Sequence, residues 1–284
     1  MKLARQLSKL ALPFTLKDLV PGLNTVVYSS AMTRTADWLD IAQVTLRLPH
    51  LPSAFDGYKL LQISDIHMGT GITQAILEQV VEWVNAESPD LVAITGDFVT
   101  IGSVQRQASS LIGPLRQLNP RDATLAVLGN HDHFTNPTEV RKILDQSGIP
   151  ELCNDVYTLN RNGSSLNIAG IDDMVFKQGR LDAIVDKLPE DGGAILLAHE
   201  PDVADQSGPT RRFDLQLSGH SHGGQFILPL IGIPYLPDLG KKYISGQYQI
   251  DDMILYTSRG VGASAPAIRI NCPPEITVFT LRSE

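Results

Sequence analysis

Cysteine is scarce: Cys153 and Cys272 are the two that 284 residues hold. Neither sits in a CxxC or Cys/His spacing, which excludes a zinc knuckle, a thioredoxin-like redox pair and a disulfide framework. Both read as small packed hydrophobes in a reducing compartment, the common state of free cysteine, with a single disulfide between them as the alternative. Basic residues are short too, 23 Lys and Arg against 31 Asp and Glu, giving a net charge of -8. That balance argues against a nucleic-acid polymer, whose binding rests on cations neutralising phosphates. No stretch approaches the roughly 18 to 20 apolar residues of a membrane-spanning helix, and neither a fixed-period repeat nor a low-complexity segment is present. With 43% hydrophobic residues the chain has enough apolar side chains for a full core, which excludes disorder.

The N-terminus lacks a convincing export signal. Lys2, Arg5 and Lys9 precede the apolar patch Leu10 to Leu16, but the patch is short, contains Pro13 and is followed by no small-residue cleavage site. Leu3, Leu7, Leu10 and Phe14 instead follow helical spacing, with the basic residues mostly off that stripe. Such a basic amphipathic helix packs on the protein's own core or lies on an anionic membrane. Residues 1–50 are therefore expected to be an extension, a surface helix followed by a strand, and residues 51–284 the main domain. The expected location is cytoplasmic, with peripheral contact at the inner face of the membrane.

From about residue 59 to 220, apolar strands alternate with helix-period stretches, the sequence form of βαβ construction. Strands are expected at Lys59 to Ser64, Leu91 to Thr95, Thr124 to Leu128, Ala194 to Ala198 and Asp214 to Ser218. Thr73 to Glu87, capped by Thr73, and Val104 to Leu118 are expected helices. Val156 to Asn160 and Ser164 to Ala169 flank the turn Arg161-Asn162-Gly163 as a hairpin. Further strands are expected at Tyr243 to Ile250, Met253 to Thr257 and Glu275 to Leu281.

Six of the seven histidines cluster in five short segments at the ends of those strands. The segments are Asp65-Ile66-His67, Gly96-Asp97, Gly129-Asn130-His131-Asp132-His133, His199 and Gly219-His220-Ser221-His222. Only His50 falls outside. Imidazole and carboxylate suit divalent first-row ions, and loops leaving the carboxyl ends of neighbouring strands converge on one edge of a sheet. A lone DxH or GD is often a turn; five in order, each after an apolar strand, point to a dinuclear metal site. Gly96 and Gly129 are expected to supply the sharp turns.

The order DxH, GD, GNHD, H, GHxH resembles the calcineurin-like metallophosphoesterase superfamily over roughly residues 58 to 225. The segments SGHSHGGQ and LYTSRGVGASAPAIRINCPPEITVFTL extend the resemblance to the bacterial YkuE/YaeI-type phosphodiesterase subfamily. The resemblance implies an α/β fold, a four-layer αββα sandwich of two mixed sheets flanked by helices. It implies that Asp65, His67 and His222 hold one metal, that Asn130, His199 and His220 hold the second, and that Asp97 bridges them. The cofactors implied are two divalent ions, manganese first, with iron, zinc or cobalt also acceptable to such ligands. The implied reaction is hydrolysis of a small phosphoester, a phosphodiester first, by in-line attack of a metal-bridging hydroxide.

His131 is the candidate for protonating the leaving group or stabilising its charge. Asp132 either orients His131 by a hydrogen bond or caps a turn. His133 reads as a bystander. Asp172 and Asp173 either reach substrate or terminate a strand, and Arg259 either clamps a phosphate or forms a surface ion pair. Two other readings stay open: a pyrophosphohydrolase of a nucleotide-linked lipid of the UDP-2,3-diacylglucosamine type, suggested by the apolar loop Leu228 to Pro237, and a non-catalytic binding module on the same fold.

Overall fold

The structure is a computed structural model that describes residues 25–27, 38–100, 102, 104–190 and 193–284. The expected amphipathic helix near the N-terminus lies outside the described residues. In chain order the elements are β1 (Thr25–Val27), β2 (Asp40–Leu48), β3 (Tyr58–Ile63), α1 (Gln74–Ala86), β4 (Leu91–Thr95), α2 (Val104–Leu115) and β5 (Ala123–Val127). Then come α3 (Asn130–Thr135), α4 (Pro137–Ser147), β6 (Asp155–Arg161), β7 (Ser164–Gly170), α5 (Leu181–Lys187), β8 (Gly193–Leu197) and α6 (Ala204–Ser207). The last are β9 (Leu215–Ser218), β10 (Gly246–Ile250), β11 (Met253–Thr257), β12 (Ile268–Ile270) and β13 (Glu275–Ser283).

Two sheets face one another. One has the order β2-β13-β3-β4-β5 and the other β10-β11-β9-β8-β7-β6, both mixed. Successive side chains of a strand alternate between faces, and β3 shows it: Leu60 points between the sheets while Leu61 and Ile63 point to the helices. The inter-sheet layer joins Leu60, Leu91, Leu125 and Phe279 to Leu166, Ile195 and Leu217. Leu61 and Ile94 pack outward on Val80 and Val84 of α1 and Leu111 of α2. On the opposite face Ala169 and Leu196 pack on Ile184 and Val203. The result is a four-layer αββα sandwich, and covering both faces explains why β4 is apolar at every position but its last.

Local chemistry sets the ends of several elements. The Thr73 hydroxyl accepts the Ile76 amide at 3.3 Å and starts α1. Helix α2 ends at Leu115 rather than the expected Leu118, because past Pro114 the amides of Gln117 and Leu118 turn back three residues, to Pro114 and Leu115. Strand β10 starts at Gly246 rather than Tyr243, since the Tyr248 hydroxyl takes the amides of Ile244 and Ser245 away from any ladder. Helix α4 went unread in the sequence, although Asn136 caps it, Pro137 opens it and Gly148 closes it in the left-handed conformation.

The expected boundary at residue 51 lies after strand β2. Strand β2 pairs with β13 from Asp40↔Glu275 to Leu48↔Ser283, so it is an integral edge of the first sheet. Strand β1 likewise pairs with β12. The parallel strands of both sheets present their carboxyl ends at one rim: β3 leads into Asp65 and His67, β4 into Asp97, β5 into Asn130, β8 into His199 and β9 into His220 and His222.

Candidate metal centre

The seven expected ligands converge at that rim. Nε2 of His67 lies 3.0 Å from Nε2 of His222, and Oδ1 of Asp65 lies 3.5 Å from the latter. Oδ2 of Asp97 is 3.4 Å from Nε2 of His67 and 3.2 Å from Nε2 of His199. Nε2 of His199 is in turn 3.2 Å from Oδ1 of Asn130 and 3.2 Å from Nδ1 of His220. Ligand atoms about 2.1 Å from a shared first-row ion stand about 3.0 to 3.4 Å apart at its coordination edges. Such a set is formed by Asp65, His67, Asp97 and His222, and His199 beside it faces Asp97, Asn130 and His220. The donor atoms of that set fit a divalent ion, and the Asp97 oxygen also faces His199.

The backbone is bent to achieve this. Asp65, His67, Asp97, His220 and His222 all adopt left-handed φ, between 48° and 70°, at a cost of about 1 to 3 kcal/mol each. Crossed hydrogen bonds hold two of these turns together: the Asp65 amide donates to Gly96 and the His67 amide to Asp97. Gly96, at φ +88, makes its turn as expected. Gly129 is extended, and its reason is space: a Cβ there would overlap Oδ1 of Asp97 and sit 2.8 Å from Cδ2 of His199.

Partners at the far ring nitrogens orient the imidazoles, which the motifs alone did not reveal. Nδ1 of His199 donates to the Thr95 carbonyl at 2.7 Å, leaving Nε2 as the free lone pair. Nε2 of His220 donates to the Asp238 carbonyl at 2.8 Å, leaving Nδ1 free, and Nδ1 of His67 meets the Thr100 hydroxyl at 3.0 Å. Oδ1 of Asp97 accepts the His131 amide at 2.9 Å, which leaves Oδ2 facing His67 and His199. Arg269 is wholly buried, and its guanidinium ties together the carbonyls of His222, Arg259, Gly260 and Gly262.

Burial sets the protonation states. It pushes the His67 imidazole down to about 3 and that of His220 down to about 4, and holds His222 well below its ordinary value. Burial likewise raises Asp65 to about 6. For Asp97 burial acts upward but His199 outweighs it, so the carboxyl stays well below the usual range.

Several side chains for which the sequence left two roles open make structural contacts. Asp132 does not orient His131. Its Oδ1 accepts the amides of Phe98 and Val99 and its Oδ2 that of Gly129, so it braces two loops, while Nδ1 of His131 has no protein partner. Arg259 is engaged by Glu275 and Asp40 and does not line the cleft. Asp172 is held by His133 at 2.7 Å and Arg141 at 3.1 Å, and Asp173 accepts the Phe176 amide, so both shape a loop. His133 is the partner of Asp172 rather than a bystander. Cys272 is buried, but Cys153 is exposed and its thiol donates to Asp172 at 3.2 Å.

The cleft over the centre has a volume of about 420 Å³ and is lined by the polar Asp97, Asn130, His131 and His220 and the apolar Phe226, Pro234 and Tyr235 among others. Among the described residues, no helix is long and apolar enough to cross a membrane.

Comparison with known proteins agrees with this geometry. A sequence model of calcineurin-like phosphoesterases matches residues 58–224. An uncharacterized metallophosphoesterase of Bacillus subtilis, YkuE, is 35% identical over 247 residues, 86% of either chain. Phosphodiesterase YaeI of Escherichia coli is 30% identical, covering 79% of this chain and 82% of its own. A transmembrane protein with a metallophosphoesterase domain from Danio rerio is 31% identical over 85% of this chain, which spans 57% of that longer protein.

Proposed function

This chain belongs to the calcineurin-like phosphoesterase family, and we propose on that premise that it is a phosphodiesterase acting on a small phosphoester with two divalent cations. The observation that carries the reading is the shared oxygen: Oδ2 of Asp97 faces His67 at 3.4 Å and His199 at 3.2 Å, one member of each ligand set. Two cations about 3.5 to 4 Å apart need such an anionic bridge. Bound there, the ions lower the pKa of water and neutralise phosphoryl oxygens. Manganese is the proposed metal, and iron, zinc or cobalt suit the same donors.

The protein's own groups supply the rest. Asp65, His67 and His222 hold one ion, and Asn130, His199 and His220 the other. His131 stands in the cleft wall with its ring centroid 4.8 Å from that of His67, where its imidazole protonates the departing oxygen. The 420 Å³ cleft suits a small substrate, and the net charge of -8 disfavours a polymeric one.

A second reading, cleavage of a pyrophosphate in a nucleotide-linked lipid, is favoured by the apolar wall of Phe226, Pro234 and Tyr235. The test is a panel of soluble diester, monoester and acylated pyrophosphate substrates on manganese-loaded protein and its Asp97→Asn variant. The diester is expected to turn over fastest, and the variant to lose activity by about a thousandfold or more. Faster cleavage of the acylated pyrophosphate establishes the second reading. Equal activity in both proteins overturns the dinuclear mechanism, and no activity in either points to a binding module.

A further inference from the structure

Every large apolar side chain that the described residues expose stands on one of three segments: Phe134 after β5, Val175 and Phe176 after β7, and Ile227, Leu230, Ile231 and Tyr235 after β9. All three leave carboxyl strand ends at the rim where the metal centre lies, β7 running parallel to β8. Exposed apolar groups are ordinarily scattered over a soluble protein, so their confinement to one rim marks an interaction surface.

Its most prominent part is the loop 226–237, which contains no charged residue. The amides of Leu228 and Gly232 exchange hydrogen bonds at 2.9 and 2.8 Å, closing a tight turn with Leu230 in the left-handed conformation at its tip. Leu230 is wholly exposed and Ile231 is 72% exposed, while Tyr235 at the far end both lines the metal cleft and reaches solvent. The loop is anchored to the body where the Ile227 amide donates to Ile270.

The first described strand begins beside that anchor. Thr25 pairs with Ile270, the residue that also accepts the Ile227 amide. The sequence that leads into Thr25 holds Lys2, Arg5 and Lys9 and the apolar set Leu3, Leu7, Leu10 and Phe14. The sequence preceding Thr25 is therefore both cationic and apolar. That pairing suits an anionic bilayer, in which apolar side chains enter the acyl boundary while Lys and Arg meet the headgroups.

We propose that the protein docks on an anionic membrane surface through the tip Leu230-Ile231, assisted by its basic N-terminal residues, with the metal cleft opening along that surface. Phosphoesters in or near the headgroup layer are then within reach of the site. The docking does not rest on the phosphodiesterase reading, because it is read out without catalysis.

The full chain is tested by co-sedimentation with vesicles of phosphatidylglycerol and phosphatidylcholine in equal parts. Wild type is expected to sediment with them, and the Leu230→Asn/Ile231→Ser double variant to bind about tenfold more weakly, while keeping the parental denaturation midpoint. An Ile231→Trp variant is expected to show emission quenched by brominated phosphatidylcholine beyond that of the parent. Wild type remaining in the supernatant, a double variant that binds as well as wild type, or an indole at position 231 that escapes quenching overturns the proposal. A soluble protein partner, a second copy of the chain, or coverage of the tip by residues 1–24 would each leave that indole unquenched.

Discussion

Oδ2 of Asp97 lies 3.2 Å from Nε2 of His199 inside the buried rim. Burial disfavours the His199 imidazolium, yet Asp97 outweighs it and lifts His199 well above its ordinary value, so a proton and a divalent cation compete for one lone pair. His67 and His220, pushed down to about 3 and about 4, present neutral lone pairs at pH 7. Metal uptake must then expel a proton from His199. Affinity is expected to rise with pH, with proton release measurable by calorimetry in buffers of different ionisation enthalpy. In Asp97→Asn the anion that holds the proton is gone, and the release is expected to vanish along with tight binding.

Asp132 and His131 are adjacent in sequence and are expected to separate cleanly by mutation. Asp132→Ala leaves three buried amides, those of Phe98, Val99 and Gly129, without an acceptor. The expected loss is about 3 kcal/mol or more of stability, read by chemical denaturation. His131→Ala removes a ring whose Nδ1 has no protein partner. Its denaturation midpoint is expected to hold while kcat falls about a hundredfold or more. A destabilised His131→Ala protein with normal kcat would sink the assignment.

Gly129→Ala is a steric test of the bridge. Gly129 has φ -118, which any residue adopts, so backbone strain does not enter. The added methyl would overlap Oδ1 of Asp97 and press on the His199 ring at 2.8 Å. The variant is expected to fold with lowered metal content, measured by elemental analysis, and to lose activity in proportion.

The His133–Asp172 pair links stability to pH. Burial acts upward on Asp172, but His133 and other hydrogen bonds outweigh it and hold the carboxyl at about 2 against an ordinary 3.8. A depressed carboxyl adds stability that is present above its unfolded value and is lost as pH falls toward 2. His133 is raised above 6.5, despite burial, by the same partner, so its share is complete below 6.5 and lost as pH rises through the raised value. His133→Gln is therefore expected to cost about 1 to 2 kcal/mol between pH 4 and 6.5 and less on the alkaline side, as read by denaturation midpoints across pH.

Much of the architecture was legible because its signals are local. A buried parallel strand such as Leu91–Thr95 must be apolar on both faces, and Thr73 advertises the start of α1 through its own hydroxyl. The candidate ligands were legible because Asp, Asn and His cluster at strand ends, and neighbouring strand ends share a rim. Helix α4 carries equally local signals in Asn136, Pro137 and Gly148, set directly after the GNHD motif.

By itself the sequence determined which side chains are chemically able to bind metal, which segments extend or coil, and the acidic balance. Their number, type and order survive any rearrangement of the chain. The tertiary structure alone decided what each polar side chain touches. Asp132 went to three amides, Arg259 to Glu275 and Asp40, and Gly129 was required for clearance rather than for a turn. Strand β2 joined the sheet beside β13, the most distant strand of that sheet along the chain. Hydrogen bonds and steric clearance act over about 3 Å between groups brought together by folding, and nothing in the order of residues along the chain states that distance.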